Sequence, residues 1–509
     1  MDGSRISNTK RNILFSSFDT VSTLVFQFVL RLVVVQTLGT VYLGLSGLFV
    51  SILQILNMAD LGFSGAIVYN MYRPLAENDT DAVCKLLNYY KKIYRVVSVV
   101  VLCVGLALAP FIKYLIKDPC PDDINVYCLY FLYLANSVVS YAVFAYRTAL
   151  LNALQRLDLT KAAYLLINTI QYLLQILSLV VFRNYYLFVI CMIAGTAGKN
   201  AFSAYLSKKK YSQYVCRGTI SEETKKSILS RVKGLLVCSI SAVTYTTFDN
   251  IVLSAFVGLG SVAIYSNYLL IHNGIAQSFT LIRESMQASV GNSVAKENVE
   301  KNYNDMKLWQ FLFSVIATWM SACLMSMYQP FMKIWMGEDM LLREIDVVLL
   351  VIWFFATMVQ NSFFLYLSGN GLWWEMRYPY IFSTITNLIL NILLGSLLGV
   401  TGIIIATVIA SVVFGMIWQC SIIFRTYFNT SMLEFQKYQL LYTGVCILCC
   451  GIAYGINEVL NISGIVGLAV RFIICSLVAV SVQILIYRRT EMYKDSKVFI
   501  KRVMHRQER

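Results

Sequence analysis

Four basic side chains lie in or at the ends of long apolar runs, where a charge is expensive. Arg31 is set inside the run FVLRLVVVQTLG, and Arg147, Lys199 and Arg283 belong to three later runs. A charge at the centre of a membrane helix costs roughly 2.5–3.5 kcal/mol on the insertion scale. Arginine can bind two phosphate oxygens at once through its planar guanidinium. These cations therefore predict a cavity that binds an anionic group.

Each of these cations also has a structural explanation. Arg147, Lys199 and Arg283 lie close enough to the cytoplasmic ends of their runs for their long side chains to reach the interface. Arg31 lies deeper, about five residues outward of the middle of its run, or roughly 8 Å at 1.5 Å per residue. The alternative for Arg31 is an ion pair with an intramembrane aspartate.

Three aspartates lie in the apolar runs: Asp19, Asp60 and Asp249. Asp60 and Asp249 are the candidate partners of Arg31 and the candidate acidic groups of the cavity. Asp60 shortly precedes Gly62, so its alternative role is to cap a broken helix.

The runs that carry these residues are long enough to cross a membrane. The chain has 509 residues, of which 58% are hydrophobic and only 14% are charged, whereas soluble proteins carry about 25% charged residues. A membrane helix needs about 20 apolar residues. The sequence predicts an all-α polytopic membrane protein with about 14 transmembrane helices. The predicted spans are 13–38, 41–70, 94–117, 125–152, 162–182, 185–206, 234–257, 259–283, 308–329, 345–369, 379–399, 401–425, 439–457 and 464–488.

The basic residues are distributed unevenly between the predicted loops. Thirty-three of the 42 Lys and Arg residues fall on the side of the N-terminus, and five fall on the opposite side. Because Lys and Arg concentrate in cytoplasmic loops, both termini are predicted to be cytoplasmic. Basic loops facing anionic lipid also explain the net charge of +15, which argues against nucleic-acid binding.

The sequence offers no support for catalysis or for a metal cofactor. Most of the 13 cysteines lie in apolar runs and act there as small hydrophobic residues. The two histidines, His272 and His505, are far apart in sequence. There is no P-loop, no HExxH and no nucleophile elbow. We therefore predict a transporter that is not an enzyme.

Short sequence matches recur at a constant offset. Gly39-Thr40-Val41 and Gly260-Ser261-Val262 are 221 residues apart, and Phe144 and Phe364 begin similar triplets 220 residues apart. The matches predict two six-helix halves in the same orientation, with two further helices added, and a substrate path between the halves. The predicted parts are an N-terminal lobe at 1–214, a cytoplasmic linker at 215–233, a C-terminal lobe at 234–428, helices 13 and 14 at 429–488, and a basic cytoplasmic tail at 489–509.

Two cytoplasmic stretches, 81–95 and 284–307, are amphipathic. This pattern predicts helices that lie in the membrane interface. The alternative is a gating element.

Four segments carry a family resemblance over nearly the whole chain. The chain resembles the polysaccharide-type, Wzx-like flippases, in the superfamily that also holds multidrug exporters of the MATE type and the lipid II flippases. The resemblance implies transport of an undecaprenyl-phosphate-linked oligosaccharide across the bacterial cytoplasmic membrane, for a surface glycan. The implied partners are this lipid-linked oligosaccharide, membrane lipid and other polysaccharide assembly proteins. The segments are RLVVVQTLGTVYLGLSGLF (31–49), LNMADLGFSGAI (56–67), FDNIVLSAFVGLGSVAIYS (248–266) and NLILNILLGSLLGVTGIIIATVIAS (387–411).

The lipid II flippases also imply a sodium site in this chain. The matching positions are Asp249, then Asn387 and Asn391 one turn apart, then Thr407. Oxygen ligands of this kind suit a hard cation, but Asn391 stands where the family pattern has a carboxylate. The alternative for these asparagines and the threonine is hydrogen bonding between helices. Coupling to Na⁺ or H⁺ is therefore an expectation, and no other cofactor is expected.

Two other functions remain as alternatives. One is a MATE-type antiporter for drugs or metabolites, coupled to a cation. Fourteen predicted helices rather than twelve favour the flippase, because an extra pair can form a groove for a lipid tail. The other is a membrane glycan polymerase or ligase, which would have a large outer loop. The longest predicted outer segments, 118–124 and 330–344, are short.

Overall fold

The described part of the chain is helical in all its regular elements. The computed structural model describes residues 2–58, 63–226, 228–229, 232, 244, 247–460, 462 and 464–507. By its internal contacts the chain divides into two compact units, Met1–Ala263 and Ile264–Arg509. The first unit therefore extends beyond the predicted linker at 215–233. The assignment of lobes stays a prediction.

The first unit contains the helices that precede Ala263. Helices α7 and α8 pack against each other, α1 packs on α7, and α5 packs on both α4 and α8. The turn after α4 is a 3₁₀ helix, Ala109–Leu115, and the last five residues of α9 form a π turn. The helices are α1 (Asp2–Thr37), α2 (Thr40–Asn57), α3 (Phe63–Ala76), α4 (Thr80–Leu108), α5 (Val126–Ala142), α6 (Tyr146–Ala153), α7 (Leu157–Val180), α8 (Tyr185–Lys210) and α9 (Thr247–Val257).

The second unit is built around α11. This helix packs against α12, α15 and α16, and α13 pairs with α14. Arg471 of α16 is buried and lies 3.7 Å from the Glu458 carboxylate of α15. The helices are α10 (Leu259–Lys296), which begins in the first unit, α11 (Val299–Met336), α12 (Glu344–Gly369), α13 (Arg377–Leu398), α14 (Val400–Phe428), α15 (Leu433–Leu460), α16 (Gly464–Tyr487) and α17 (Glu491–Gln507).

The number of long apolar helices agrees with a polytopic membrane protein. Among the described residues, eleven helices are long and apolar enough to cross a membrane, or twelve if the bent pair α5 and α6 forms one span. Two predicted spans are not among them. Most of 234–257 lies outside the described residues, and 259–283 lies in α10, which has many polar residues. The fold class is an all-α membrane protein compatible with fourteen spans.

Two predicted spans are interrupted. The span predicted at 125–152 consists of α5 and α6, which meet at an angle of 47°. Phe144, between them, has φ 50°, a left-handed conformation that ends a helix. The break predicted in the second span falls between α2 and α3, but Asp60 and its neighbours at 59–62 lie outside the described residues.

The amphipathic stretches do not form separate interfacial helices. The stretch 81–95 is the first half of α4, which continues directly into the third span. The stretch 284–307 is divided between the end of α10 and the start of α11. Both stretches are therefore parts of long helices.

Predicted cytoplasmic segments meet at one end of the first unit. The buried Asp158 carboxylate accepts from Arg156 Nε at 2.8 Å and lies 3.1 Å from Arg11. The hydrogen bond from Arg156 raises the pKa of this guanidinium above its ordinary value, so the pair stays charged. Asn88 Nδ2 also donates to the Gly218 carbonyl at 2.8 Å. The N-terminus, the start of α4, the turn before α7 and the segment after α8 therefore share this end.

Predicted outer segments meet at the opposite end of this unit. The Tyr42 hydroxyl donates to the Asp123 carboxylate at 2.6 Å. The Leu259 backbone N–H, at the start of α10, donates to Asp118 at 2.7 Å. Lys117 Nζ donates to the Phe256 carbonyl at 2.8 Å. The sorting of loops between two ends agrees with the alternation that the predicted spans require.

The repeat has a counterpart in the turns between helices. Gly39 joins α1 to α2 with φ 103°, and Gly258 joins α9 to α10 with φ 139°. Both values lie in the region that favours glycine. The glycine that matches Gly39 in conformation is thus Gly258, two residues before the Gly260 of the sequence match.

A tyrosine-lined cavity in the first unit

The first unit contains a polar cavity of about 310 Å³. It lies among α4, α5, α6, α7 and α8, so every helix that encloses it belongs to one unit. We call it the tyrosine cavity. It is lined by Tyr90, Tyr94, Ser140, Tyr141, Ala145, Thr148, Ala149, Asn152, Tyr164, Thr196, Lys199 and Asn200.

Three of the four tyrosines form a contiguous aromatic wall. Tyr90 and Tyr94 are one turn apart on α4, so they share a helix face, and their hydroxyls are hydrogen-bonded to each other. The centroids of these two rings are 4.2 Å apart. Tyr141 of α5 meets Tyr94 edge-on, with ring centroids 5.5 Å apart. Each ring offers an apolar face with a polar hydroxyl at its tip.

Lys199 supplies the charge of the cavity. No aspartate or glutamate is among the lining residues, and the described residues give Lys199 neither a hydrogen bond nor an ion pair. The buried carboxylate of Asp19, on α1, is instead bonded to Lys161 Nζ at 2.8 Å. The cavity therefore presents an ammonium group that no lining carboxylate neutralises.

Two asparagines add amide groups to the wall. Asn200 Nδ2 donates to the Ser140 carbonyl at 3.0 Å, which holds α8 against α5. Asn152 Oδ1, on α6, is buried and has no hydrogen-bond partner among the described residues. A buried acceptor without a partner costs free energy. A donor group on a ligand in the cavity would remove that cost.

The other two predicted cations of this unit do not line the cavity. Arg147, in the first turn of α6, donates from Nη1 to the Tyr214 carbonyl at 2.8 Å and thereby fastens the segment after α8. Arg31 is half-buried on α1, which packs against α7 and α2. Lys199 is thus the predicted cation that the structure places in the tyrosine cavity.

Arg283 lies in the second unit, on α10. Its guanidinium is 4.7 Å from the centroid of the Phe364 ring, a cation–π contact. Its Nε is buried without a hydrogen-bond partner among the described residues. A role for Arg283 in binding substrate stays a prediction.

The predicted sodium ligands are divided between the units. In the second unit, Asn387 Nδ2 donates to Thr407 Oγ1 at 3.3 Å, and Asn391 Nδ2 donates to Asn387 Oδ1 at 3.2 Å. The first bond links α13 to α14, and the second lies within α13. Asp249 is fully buried in the first unit, on α9. The three polar residues of the second unit are together, and the sodium site as a whole stays a prediction.

Sequence reasoning did not single out the residues that line the cavity, apart from Lys199. One signal was available. Tyr90 and Tyr94 stand at i and i+4 in an amphipathic helix, which places two hydroxyls on a buried face.

The family of this chain is established by a match to residues 9–285, which are more than half of its length. They match the family model described as polysaccharide biosynthesis protein. The chain belongs to this polysaccharide biosynthesis family. Among curated protein sequences, none matches this chain.

Solved structures show the fold of this family member. A multidrug resistance MATE family transporter in an inward-facing conformation aligns with a TM-score of 0.65 at 16% identity, over 82% of this chain and 99% of that one. The lipid II flippase MurJ in an inward closed conformation aligns with a TM-score of 0.61 at 15% identity, over 94% and 99%. The chain is therefore a multi-pass membrane protein that shares the fold of these transporters over most of its length.

Proposed function

We propose that this family member moves an undecaprenyl-phosphate-linked oligosaccharide from the inner to the outer leaflet of the bacterial cytoplasmic membrane, for surface polysaccharide biosynthesis. The two units act as the lobes of an alternating-access transporter. Both termini are cytoplasmic, and transport is coupled to Na⁺ or H⁺. Other polysaccharide assembly proteins supply the substrate and consume the product.

The observation that carries this proposal is the chemistry of the tyrosine cavity, together with the family. Lys199 offers a positive charge in a polar cavity with no acidic lining residue. Tyrosine rings and the amide of Asn152 offer the apolar faces and hydrogen-bonding groups that a sugar requires. A lipid-linked oligosaccharide presents both anionic groups and sugar rings, so the cavity suits its head.

The same observation disfavours the multidrug antiporter. A cationic drug in the tyrosine cavity would meet the like charge of Lys199 without a compensating carboxylate among the lining residues. A like charge at a binding site disfavours the ligand. The antiporter therefore needs a different site.

The experiment that tests the proposal is deletion of the gene in its native bacterium, followed by complementation. We expect the deletion to remove surface polysaccharide and to leave lipid-linked oligosaccharide in the inner leaflet. The full chain should restore the polysaccharide. A deletion strain with unchanged surface polysaccharide would overturn the proposal, and export of a cationic dye by the purified chain in liposomes would support the antiporter instead.

Complementation with single variants then tests the cavity. Lys199→Met should restore little polysaccharide, since it removes the charge of the cavity. Lys209→Met is the matched control, because Lys209 belongs to the same helix and is exposed at its cytoplasmic end. Both variants should be present in the membrane at the wild-type level. If Lys199→Met restores surface polysaccharide fully, the cavity is not part of the transport path.

A further inference from the structure

We propose that the tyrosine cavity binds one sugar ring that carries a single negative charge, a uronate-type residue of the oligosaccharide, and not the diphosphate of the lipid carrier. This inference rests on the proposed function and names the chemical class that one part of the site selects. It is drawn from the charge, size and lining of the cavity.

The charge of the cavity matches one negative group. Lys199 is a single ammonium, and the lining residues add no second cation and no carboxylate. A diphosphate carries at least two negative charges, and the residue best suited to it is arginine, whose planar fork binds two oxygens. An arginine that could bind a diphosphate, Arg147, lies on α6 together with Asn152. Its guanidinium already donates to the Tyr214 carbonyl. A compact ammonium with three donors suits a single carboxylate.

The size of the cavity matches one sugar ring better than a longer chain. Its volume of about 310 Å³ lies at the lower end of the roughly 300–1,000 Å³ found for small-molecule sites. A flexible oligosaccharide would extend beyond it. A single ring with its substituents can occupy it and leave the rest of the chain outside.

The lining supplies both kinds of contact that a sugar ring makes. Of the lining tyrosines, Tyr141 and Tyr164 are half-buried and can present aromatic surface to the C–H face of a ring, whereas Tyr90 and Tyr94 are almost fully buried. Asn152 Oδ1 is a buried acceptor without a described partner, so a sugar hydroxyl that donates to it would satisfy both groups. A phosphate ester has acceptor oxygens and would leave Asn152 Oδ1 unsatisfied.

Ligand-observed NMR on the full chain in lipid nanodiscs tests the proposal. The probes are glucuronate, glucose and inorganic pyrophosphate. We expect glucuronate to bind at least tenfold more tightly than glucose, and pyrophosphate to displace it poorly. Lys199→Met should lower the affinity for glucuronate about tenfold and leave that for glucose unchanged, whereas Lys199→Arg and Lys209→Met should keep the preference.

Several results would overturn the inference. One is that glucuronate and glucose bind with equal affinity, and another is that neither sugar binds. A third is that pyrophosphate competes strongly with glucuronate and that this competition is lost in Lys199→Met. The proposed function is judged separately by the deletion strain. If deletion removes surface polysaccharide and glucuronate does not bind, only the acidic-sugar inference fails. If glucuronate binds and deletion changes nothing, the flippase function fails.

Discussion

Lys161 Nζ lies 2.8 Å from Asp19 Oδ2, and this ion pair joins α7 to α1 inside the first unit. The side chain of Asp19 is 8% exposed and that of Lys161 is 31% exposed. Asp19 is bonded to Lys161 and forms no ion pair with Lys199 among the described residues, but its negative charge still attracts the Lys199 ammonium. Lys199 therefore keeps its hydrogen-bond donors for an anionic ligand.

Replacing Lys161 should destabilise the first unit and weaken the binding of anions. Lys161→Met leaves the buried Asp19 carboxylate without its partner, which typically costs roughly 3–5 kcal/mol. Because Lys161 is partly exposed to water, we expect a cost near the lower end of that range. We expect a lower midpoint of thermal unfolding in detergent and weaker binding of glucuronate. The matched control is Lys85→Met, since Lys85 forms a similarly short but exposed pair with Asp81, at 2.7 Å; its loss should leave the unfolding midpoint nearly unchanged. Equal effects of the two variants would contradict this account.

Gly44 should be intolerant of any side chain. A Cβ at Gly44 on α2 would lie 2.2 Å from the Leu259 carbonyl oxygen at the start of α10, so the two backbones must separate in Gly44→Ala. Such overpacking costs typically 1–3 kcal/mol. The measurement is thermal unfolding of the purified chain. Gly260→Ala is the control, because nothing lies within 4 Å of a Cβ there, and it should behave like the wild type. The close approach is refuted if Gly44→Ala is as stable as Gly260→Ala.

The sodium hypothesis predicts a specific response to ions. If Asp249, Asn387, Asn391 and Thr407 bind Na⁺, the unfolding temperature should be higher in NaCl than in KCl or choline chloride, because a bound ligand stabilises the native state. Asp249→Asn and Asn387→Ala should each abolish the difference. An identical unfolding temperature in the three salts would leave Asn387 with its observed role, the hydrogen bond to Thr407.

The predicted orientation can be tested with two introduced cysteines in a background without exposed natural ones. Ser212→Cys lies in the exposed segment after α8, and Asp122→Cys lies in the exposed segment before α5. In intact cells, a membrane-impermeant thiol reagent should label Asp122→Cys and should not label Ser212→Cys. A permeant reagent should label both. The reverse pattern with the impermeant reagent would invert the topology.

The membrane-spanning helices could be predicted from sequence because a lipid environment leaves a chain few choices. Each backbone polar group in the hydrocarbon region must be satisfied internally, so long apolar runs become helices. The bounds of α13 and α16, for example, agree with the predicted spans to within a few residues. The break at Phe144 was not predicted, because hydropathy does not show where a residue other than glycine adopts a left-handed backbone conformation.

Hydropathy and charge placement are enough to identify this chain as a helical membrane protein with cations in its apolar runs, among them Lys199, and four segments carry the signature of its family. Which of those cations faces a cavity depends on the packing of the helices. Tyr94, Tyr141, Asn152 and Lys199 come from four different helices, and their meeting depends on how those helices pack. Likewise, the sequence could not assign Asp19 to Lys161, because pairing between α1 and α7 depends on distances that no local pattern encodes.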